Sequence, residues 1–128
     1  MDKLYREVLL DHYKNPKNFG EIKKPDIHKE DNNPLCGDEI EIFAKLDAKK
    51  EKISEMRFKG HGCVICMASA SILTEHLGGM KLQDVQKMDT DKMLKLLGLE
   101  LTPTRIKCMM LPLVAVKKGI MEYEAGKQ

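Results

Sequence analysis

Thiolates are nucleophiles and soft metal ligands, so the four cysteines of this 128-residue chain, Cys36, Cys63, Cys66 and Cys108, are where its chemistry is sought first. Two of them, in KGHGCVICMAS (59–69), have C-x-x-C spacing. A second C-x-x-C would complete a zinc site, and none follows. A redox dithiol of thioredoxin type wants alternating strands and helices, whereas here the pattern ahead of Cys63 reads as a hairpin. Cys63 is therefore expected to serve a site completed by distant cysteines. Cys66 is expected on the first helical turn beside it, in a secondary role.

The other two cysteines share that context. Cys36 lies in NNPLCGD, before the first strand, and Cys108 lies in RIKCMMLP, near a proline. Asp38 follows Cys36 by two residues, and in extended backbone positions i and i+2 face the same way. Three thiolates and one carboxylate suit zinc or one edge of an iron–sulfur cluster. Each residue also has a blander reading. A buried cysteine packs as a small hydrophobe, and Asp38 after a glycine is a turn residue or strand-start cap. Lys107 is a surface charge, or a group that stabilises a thiolate or persulfide on Cys108. His61, between two glycines, is read as solvent-facing. His12, His28 and His76 have no spacing partner and are read as structural.

The elements that must position these residues follow from periodicity. Residues 3–14 form a helix with Leu4, Val8, Leu9 and His12/Tyr13 on one stripe, stopped by Asn15-Pro16. Residues 15–37 read as a long irregular loop. Residues 39–47 and 53–59 alternate with period two and make an antiparallel hairpin. Residues 67–77 form a helix closed by Gly78-Gly79. Residues 81–88 and 89–97 form two short helices, the second capped by Asp89 or Thr90. Pro112 predicts a break, because proline inside a helix costs about 3 kcal/mol. The expectation is a helical turn at 103–107 and a terminal helix from about 110–111. Cys108 would then sit just ahead of a helix N-terminus, whose partial positive charge favours a thiolate.

Composition narrows the function classes. With 42% hydrophobic and 33% charged residues, the chain reads as one folded domain, 1–128, rather than as a disordered segment. A formal charge of +2 is too small to imply nucleic acid. The N-terminus mixes charge into its apolar residues, unlike a signal peptide. No segment approaches the ~20 apolar residues of a membrane span. The expected compartment is cytoplasmic, where thiols stay reduced, which favours metal binding or catalysis over disulfides. The nine methionines read as adaptable core filler.

At these residues the sequence resembles the U-type iron–sulfur cluster scaffold family, which includes IscU, the NifU N-terminal domain and SufU. The resemblance runs through Y-x-x-x-x-x-DHY-x-NP-x-N-x-G (Tyr5 to Gly20), CGD at 36–38, F-K-x-x-GC-x-I at 58–65, A-S-A-S at 68–71 and K-C at 107–108. It implies an α+β fold, a small antiparallel sheet with helices packed on one face. It implies a scaffold, not an enzyme, that accepts persulfide sulfur from a cysteine desulfurase, binds iron, builds a [2Fe-2S] cluster and passes it to apo iron–sulfur recipients. By motif, Cys36, Asp38, Cys63 and Cys108 map to the cluster and metal site, with Cys108 as persulfide acceptor. Asp38 resembles the carboxylate associated with cluster lability, so Asp38→Ala is expected to hold a cluster longer.

Some features depart from the family pattern. Many members carry histidine where this chain has Lys107, as the SufU branch does. The Cys63-to-Cys108 gap is short and IscU-like, without the insertion usual in SufU. Leu101-Thr102-Pro103-Thr104-Arg105 stands where the bacterial IscU branch has its Hsp70-chaperone segment, L-P-P-V-K. Cys66 stands where a small non-cysteine residue is usual. It is read as a spare ligand, a resolving thiol for a persulfide or a structural residue, the last being favoured. The alternative function is a zinc-bound sulfur acceptor, a sulfurtransferase partner of a cysteine desulfurase. A zinc-stabilised interaction domain is a third reading. A homodimer sharing a cluster is compatible with the pattern, and no nucleic-acid or membrane partner is expected.

Overall fold

The computed structural model describes residues 3–34 and 37–126, apart from the side chains of Lys3 and Tyr5. The elements run α1 (Lys3–Lys14), β1 (Ile27–Asn33), β2 (Asp38–Leu46), β3 (Ile53–His61), α2 (Val64–Leu77), α3 (Leu82–Gln86), α4 (Thr90–Leu97) and α5 (Pro103–Gly126). The strands form an antiparallel sheet in the order β1-β2-β3. This is the α+β class expected from the sequence. Alternation in β2 turns Ile40, Ile42, Ala44 and Leu46 to one face, where Ile53, Met56 and Phe58 of β3 join them in the core. Helices α2 and α5 pack against the sheet and against each other. Each fully buried large side chain here contributes roughly 1.5–3 kcal/mol.

Four expectations are corrected. The 15–37 segment is not all loop, because β1 occupies Ile27–Asn33 and pairs from Ile27↔Ala44 to Asn33↔Asp38. Its sequence, IHKEDNN, buries only Ile27. An edge strand with one core residue has no apolar alternation to read. The next correction concerns α5, which is continuous through Pro112. Proline removes the intrahelical donor for the Cys108 carbonyl. Burial of Met109, Leu113, Val116 and Ile120 along the same helix offsets that loss. Cys108 is therefore the sixth residue of α5 rather than a residue ahead of its N-terminus, and the helix-dipole reason for a thiolate there does not apply.

The third correction is the start of α2, at Val64 rather than 67, which makes Cys63 its N-cap. The fourth is the α1 stripe. Only Leu9 of that stripe's apolar residues is buried, whereas Leu4, Val8 and Tyr13 are exposed. Helix α1 leans on α2, and one helix offers a narrower contact than a sheet does.

The attachment of α1 is largely polar. Ser71 Oγ bonds His12 Nδ1 at 2.7 Å and accepts the Lys17 N–H at 2.8 Å. Asn18 Nδ2 donates to Thr74 Oγ1 at 3.2 Å. The segment after α1 then covers the β3 edge: Gly20 N–H donates to Phe58 O at 2.8 Å, and Phe58 N–H donates to Asn18 O at 3.0 Å. Ser69, also fully buried, has no hydrogen-bond partner for its hydroxyl among the described residues. Ser71→Ala is therefore expected to cost about 1–2 kcal/mol, because the half-buried His12 ring and the Lys17 N–H both lose their partner, while Ser69→Ala is neutral or stabilising. Urea melts of the two variants would test this, and equal losses would remove Ser71 as the anchor of α1.

Candidate metal centre

Three elements bring their ends together. Asp38 opens β2, Cys63 ends the β3–α2 junction, and Cys108 lies in the second turn of α5. One ligand atom from each of Asp38, Cys63 and Cys108 lies within 4.8 Å of the other two. Asp38 and Cys108 are both 1% exposed, whereas Cys63 is half-buried and forms the accessible side.

Asp38 and Cys63 are locked together. Asp38 Oδ1 accepts the Cys63 N–H at 3.0 Å, and Oδ2 lies 3.5 Å from the Cys63 sulfur. Cys63 has extended backbone (φ −69, ψ 165), and its Sγ accepts the Cys66 N–H at 3.4 Å. A thiol thus fills a cap position that serine, threonine, aspartate or asparagine usually holds. Glycine makes the approach feasible. A Cβ on Gly62 would stand 2.6 Å from Asp38 Oδ1, and one on Gly60, at φ +150, would stand 2.2 Å from the Glu39 carbonyl oxygen. The G-H-G ahead of Cys63 is therefore a steric requirement for bringing β3 past Asp38.

The donors fit a metal. Metal–sulfur and metal–oxygen bonds of about 2.0–2.3 Å place tetrahedral ligands roughly 3.3–3.8 Å apart; Asp38 Oδ2 and Cys63 Sγ, at 3.5 Å, already lie in that range, and the whole set lies within 4.8 Å. Two thiols and a carboxylate suit zinc, or iron of a cluster edge, and leave a fourth position for another ligand. Cys36, the expected fourth member, lies outside the described residues. The strand ends on either side, Asn33 and Asp38, are directly paired.

The remaining expected residues do not join this set. Cys66 is fully buried in the first turn of α2, and none of the three described cysteines forms a disulfide. Lys107 is exposed and lines a groove of about 410 Å³ with Asp31, Asn32, Pro34 and Lys118. His61 points outward, 3.2 Å from Glu39. His12 is structural, as expected, through Ser71. A second group with close donor atoms, His28, Glu30 and Glu41, lies on the outer sheet face. There His28 stacks on Phe43 and pairs with Glu41, as surface side chains do. Only the register Glu30↔Glu41 assembles it, so nothing in the linear spacing announced it.

Comparison with known proteins decides the family. The NifU-like N terminal domain family matches residues 4–128. The chain belongs to that family. Among the NifU-like relatives, the zinc-dependent sulfurtransferase SufU of Bacillus subtilis is 36% identical over 143 aligned positions, covering 98% of this chain and 95% of that protein. The alignment has more positions than this chain has residues, so SufU carries residues with no counterpart here. The iron–sulfur cluster assembly scaffold protein IscU of Haemophilus influenzae is 32% identical over 124 residues, covering 94% of this chain and 96% of that protein. A crystal structure named for FiSufU, the SUF-system scaffold of Fervidobacterium islandicum, superposes with a TM-score of 0.77 at 26% identity, covering 89% and 94% of the two chains. No helix among the described residues is long and apolar enough to cross a membrane.

Proposed function

We propose that this NifU-like chain is a scaffold on which a two-iron iron–sulfur cluster is built from iron and desulfurase-derived persulfide sulfur, then passed to apo-proteins. The observation that carries this reading is the convergence of the Asp38, Cys63 and Cys108 donor atoms within 4.8 Å at the meeting of three elements. In this reading those three residues, with Cys36, hold the growing cluster. Sulfur arrives when a thiolate attacks the terminal sulfur of the desulfurase persulfide, and the desulfurase cysteine leaves as a thiolate. In this reading Cys108 is the acceptor, the role that its K-C motif implies by resemblance. Cys63 is the more accessible sulfur, and a sulfane atom on either reaches the other across the 4.8 Å set. Asp38 supplies a harder, weaker ligand than a fourth thiolate, which suits a product that must leave.

A second reading is a zinc-bound sulfur acceptor that partners a cysteine desulfurase. The 36% identity to SufU and the lysine at position 107 favour it. Zinc would supply a Lewis acid that keeps the thiols deprotonated until one is claimed by sulfur.

Anaerobic reconstitution with iron, cysteine and a cysteine desulfurase separates the two. Scaffold function predicts visible charge-transfer bands with matched iron and sulfide counts. Zinc that persists, with no cluster formed, would replace the first reading by the second. Asp38→Asn is the variant of choice for lability, since it keeps an oxygen for the Cys63 N–H, whereas Asp38→Ala removes that acceptor as well. A longer cluster lifetime in both variants is the expected outcome.

A further inference from the structure

The proposed cluster ligation takes Cys63 and gives no role to Cys66, which is not in the converging donor set. Cys63 is the N-cap of α2 and Cys66 is three residues on, inside its first turn. The Cys66 N–H points at Cys63 Sγ from 3.4 Å. This is the placement of a C-x-x-C dithiol at a helix N-terminus, where the outer sulfur meets reactants and the inner sulfur is sheltered. Exposure follows the same order, with Cys63 half-buried and Cys66 at 0%.

We propose that Cys66 is a resolving thiol that reduces sulfane sulfur carried on Cys63 to sulfide and closes a Cys63–Cys66 disulfide in doing so. The inference rests on the sulfur-accepting role proposed above. A cluster contains sulfide, whereas a persulfide delivers sulfur two electrons more oxidised, so a reductant is required. The dithiol supplies those electrons. Sulfane sulfur reaches Cys63 directly or from Cys108: the Cys63 thiolate attacks the terminal sulfur, and Cys108 leaves as a thiolate. The Cys66 thiolate then attacks Cys63 Sγ. The Cys63–Cys66 S–S bond forms, the bond to the outer sulfur breaks, and that sulfur leaves with the electron pair and takes a proton as hydrosulfide. The two thiols are oxidised by two electrons and the sulfane sulfur is reduced by two.

Closeness along the chain favours Cys66 over Cys108 as the resolving group. Side chains three apart on a helix have Cβ atoms about 5–6 Å apart, and a disulfide needs roughly 3.5–4.5 Å. The cap residue lies outside the helix and can rotate to close that gap within one turn. A Cys63–Cys108 bond would instead tie α5 to the β3–α2 junction and take both thiols out of the converging donor set.

The test loads the full-length protein anaerobically in two ways, with sodium polysulfide and with desulfurase plus cysteine. Small thiols are removed by desalting, and sulfide, residual persulfide and disulfides are measured, the last by alkylation and peptide mass spectrometry. Wild type is expected to release about one sulfide per chain with no added reductant and to stop there, with Cys63 and Cys66 joined. Cys66→Ser and Cys66→Ala are expected to release at least about tenfold less and to retain persulfide. An intact persulfide in wild type with both thiols alkylatable would overturn the proposal, as would a Cys63–Cys108 disulfide or undiminished sulfide from the Cys66 variants. The wild-type disulfide map decides the matter even if a variant folds poorly. Sulfide and the expected disulfide after polysulfide loading alone would uphold the dithiol and remove the desulfurase-fed reading instead.

Discussion

Cys63→Ser is expected to abolish zinc and cluster binding while leaving the fold intact. Serine is a preferred N-cap residue, so its Oγ can take over the Cys66 N–H that the sulfur now accepts. The Asp38 bond to the Cys63 N–H belongs to the backbone and survives the change. What is lost is one soft donor of the three that converge. Removing a direct ligand should lower metal affinity by about 100-fold or more, beyond the ~10–100-fold typical of outer-shell changes. The check is a zinc titration beside a urea melt of the metal-free protein. Zinc affinity within threefold of wild type would exclude Cys63 as a ligand. A collapsed melt would show that the sulfur is needed for folding rather than for metal.

Gly60→Ala carries the largest expected effect on the fold. Its Cβ would lie 2.2 Å from the Glu39 carbonyl oxygen and 3.1 Å from both the Glu39 carbonyl carbon and the Ile40 Cα, all backbone atoms of the neighbouring strand, and Gly60 is at φ +150. No flexible side chain can yield there, so strands β2 and β3 must separate next to Asp38. A loss of about 3 kcal/mol or more is expected, which moves the urea midpoint down by about 2 M. Gly79→Ala is the matched control. Gly79 is also at positive φ (+85) but has nothing within 4 Å of its Cβ, so only the backbone cost of about 1–2 kcal/mol applies. Equal losses in the two variants would mean that the steric account of Gly60 is wrong.

The hairpin was legible because β2 and β3 are half-buried, and half-burial writes period two into the sequence. Helix α4 was legible because Asp89 caps it, accepting the Lys92 N–H at 2.9 Å, and Gly98 ends it in the left-handed conformation. Strand β1 was not legible. It is held by backbone pairing to β2, and backbone bonds leave no trace in residue type. Pro112 misled for a related reason. Local propensity argues for a break, but tertiary burial on both sides of the proline holds α5 together. The stripe on α1 misled in the opposite sense, because amphipathic spacing does not say how wide a partner the helix will find.

The candidate site divides along the same line. The sequence by itself determined which residues could act: cysteines at element ends beside glycine or proline, an aspartate at a strand start, and family motifs that run through nearly the whole chain. Residue type and spacing suffice for that, because donor chemistry is a property of the side chain. Only the tertiary structure decided that Asp38, Cys63 and Cys108 meet, that Cys108 is buried inside a helix rather than just ahead of one, and that Cys66 sits beneath Cys63. Those facts depend on how β2, the β3–α2 junction and α5 cross. The crossing is set by core packing, by Gly60, which lets backbone approach backbone, and by Gly62, which leaves room for the Asp38 side chain, interactions between residues far apart in the chain that no local pattern encodes.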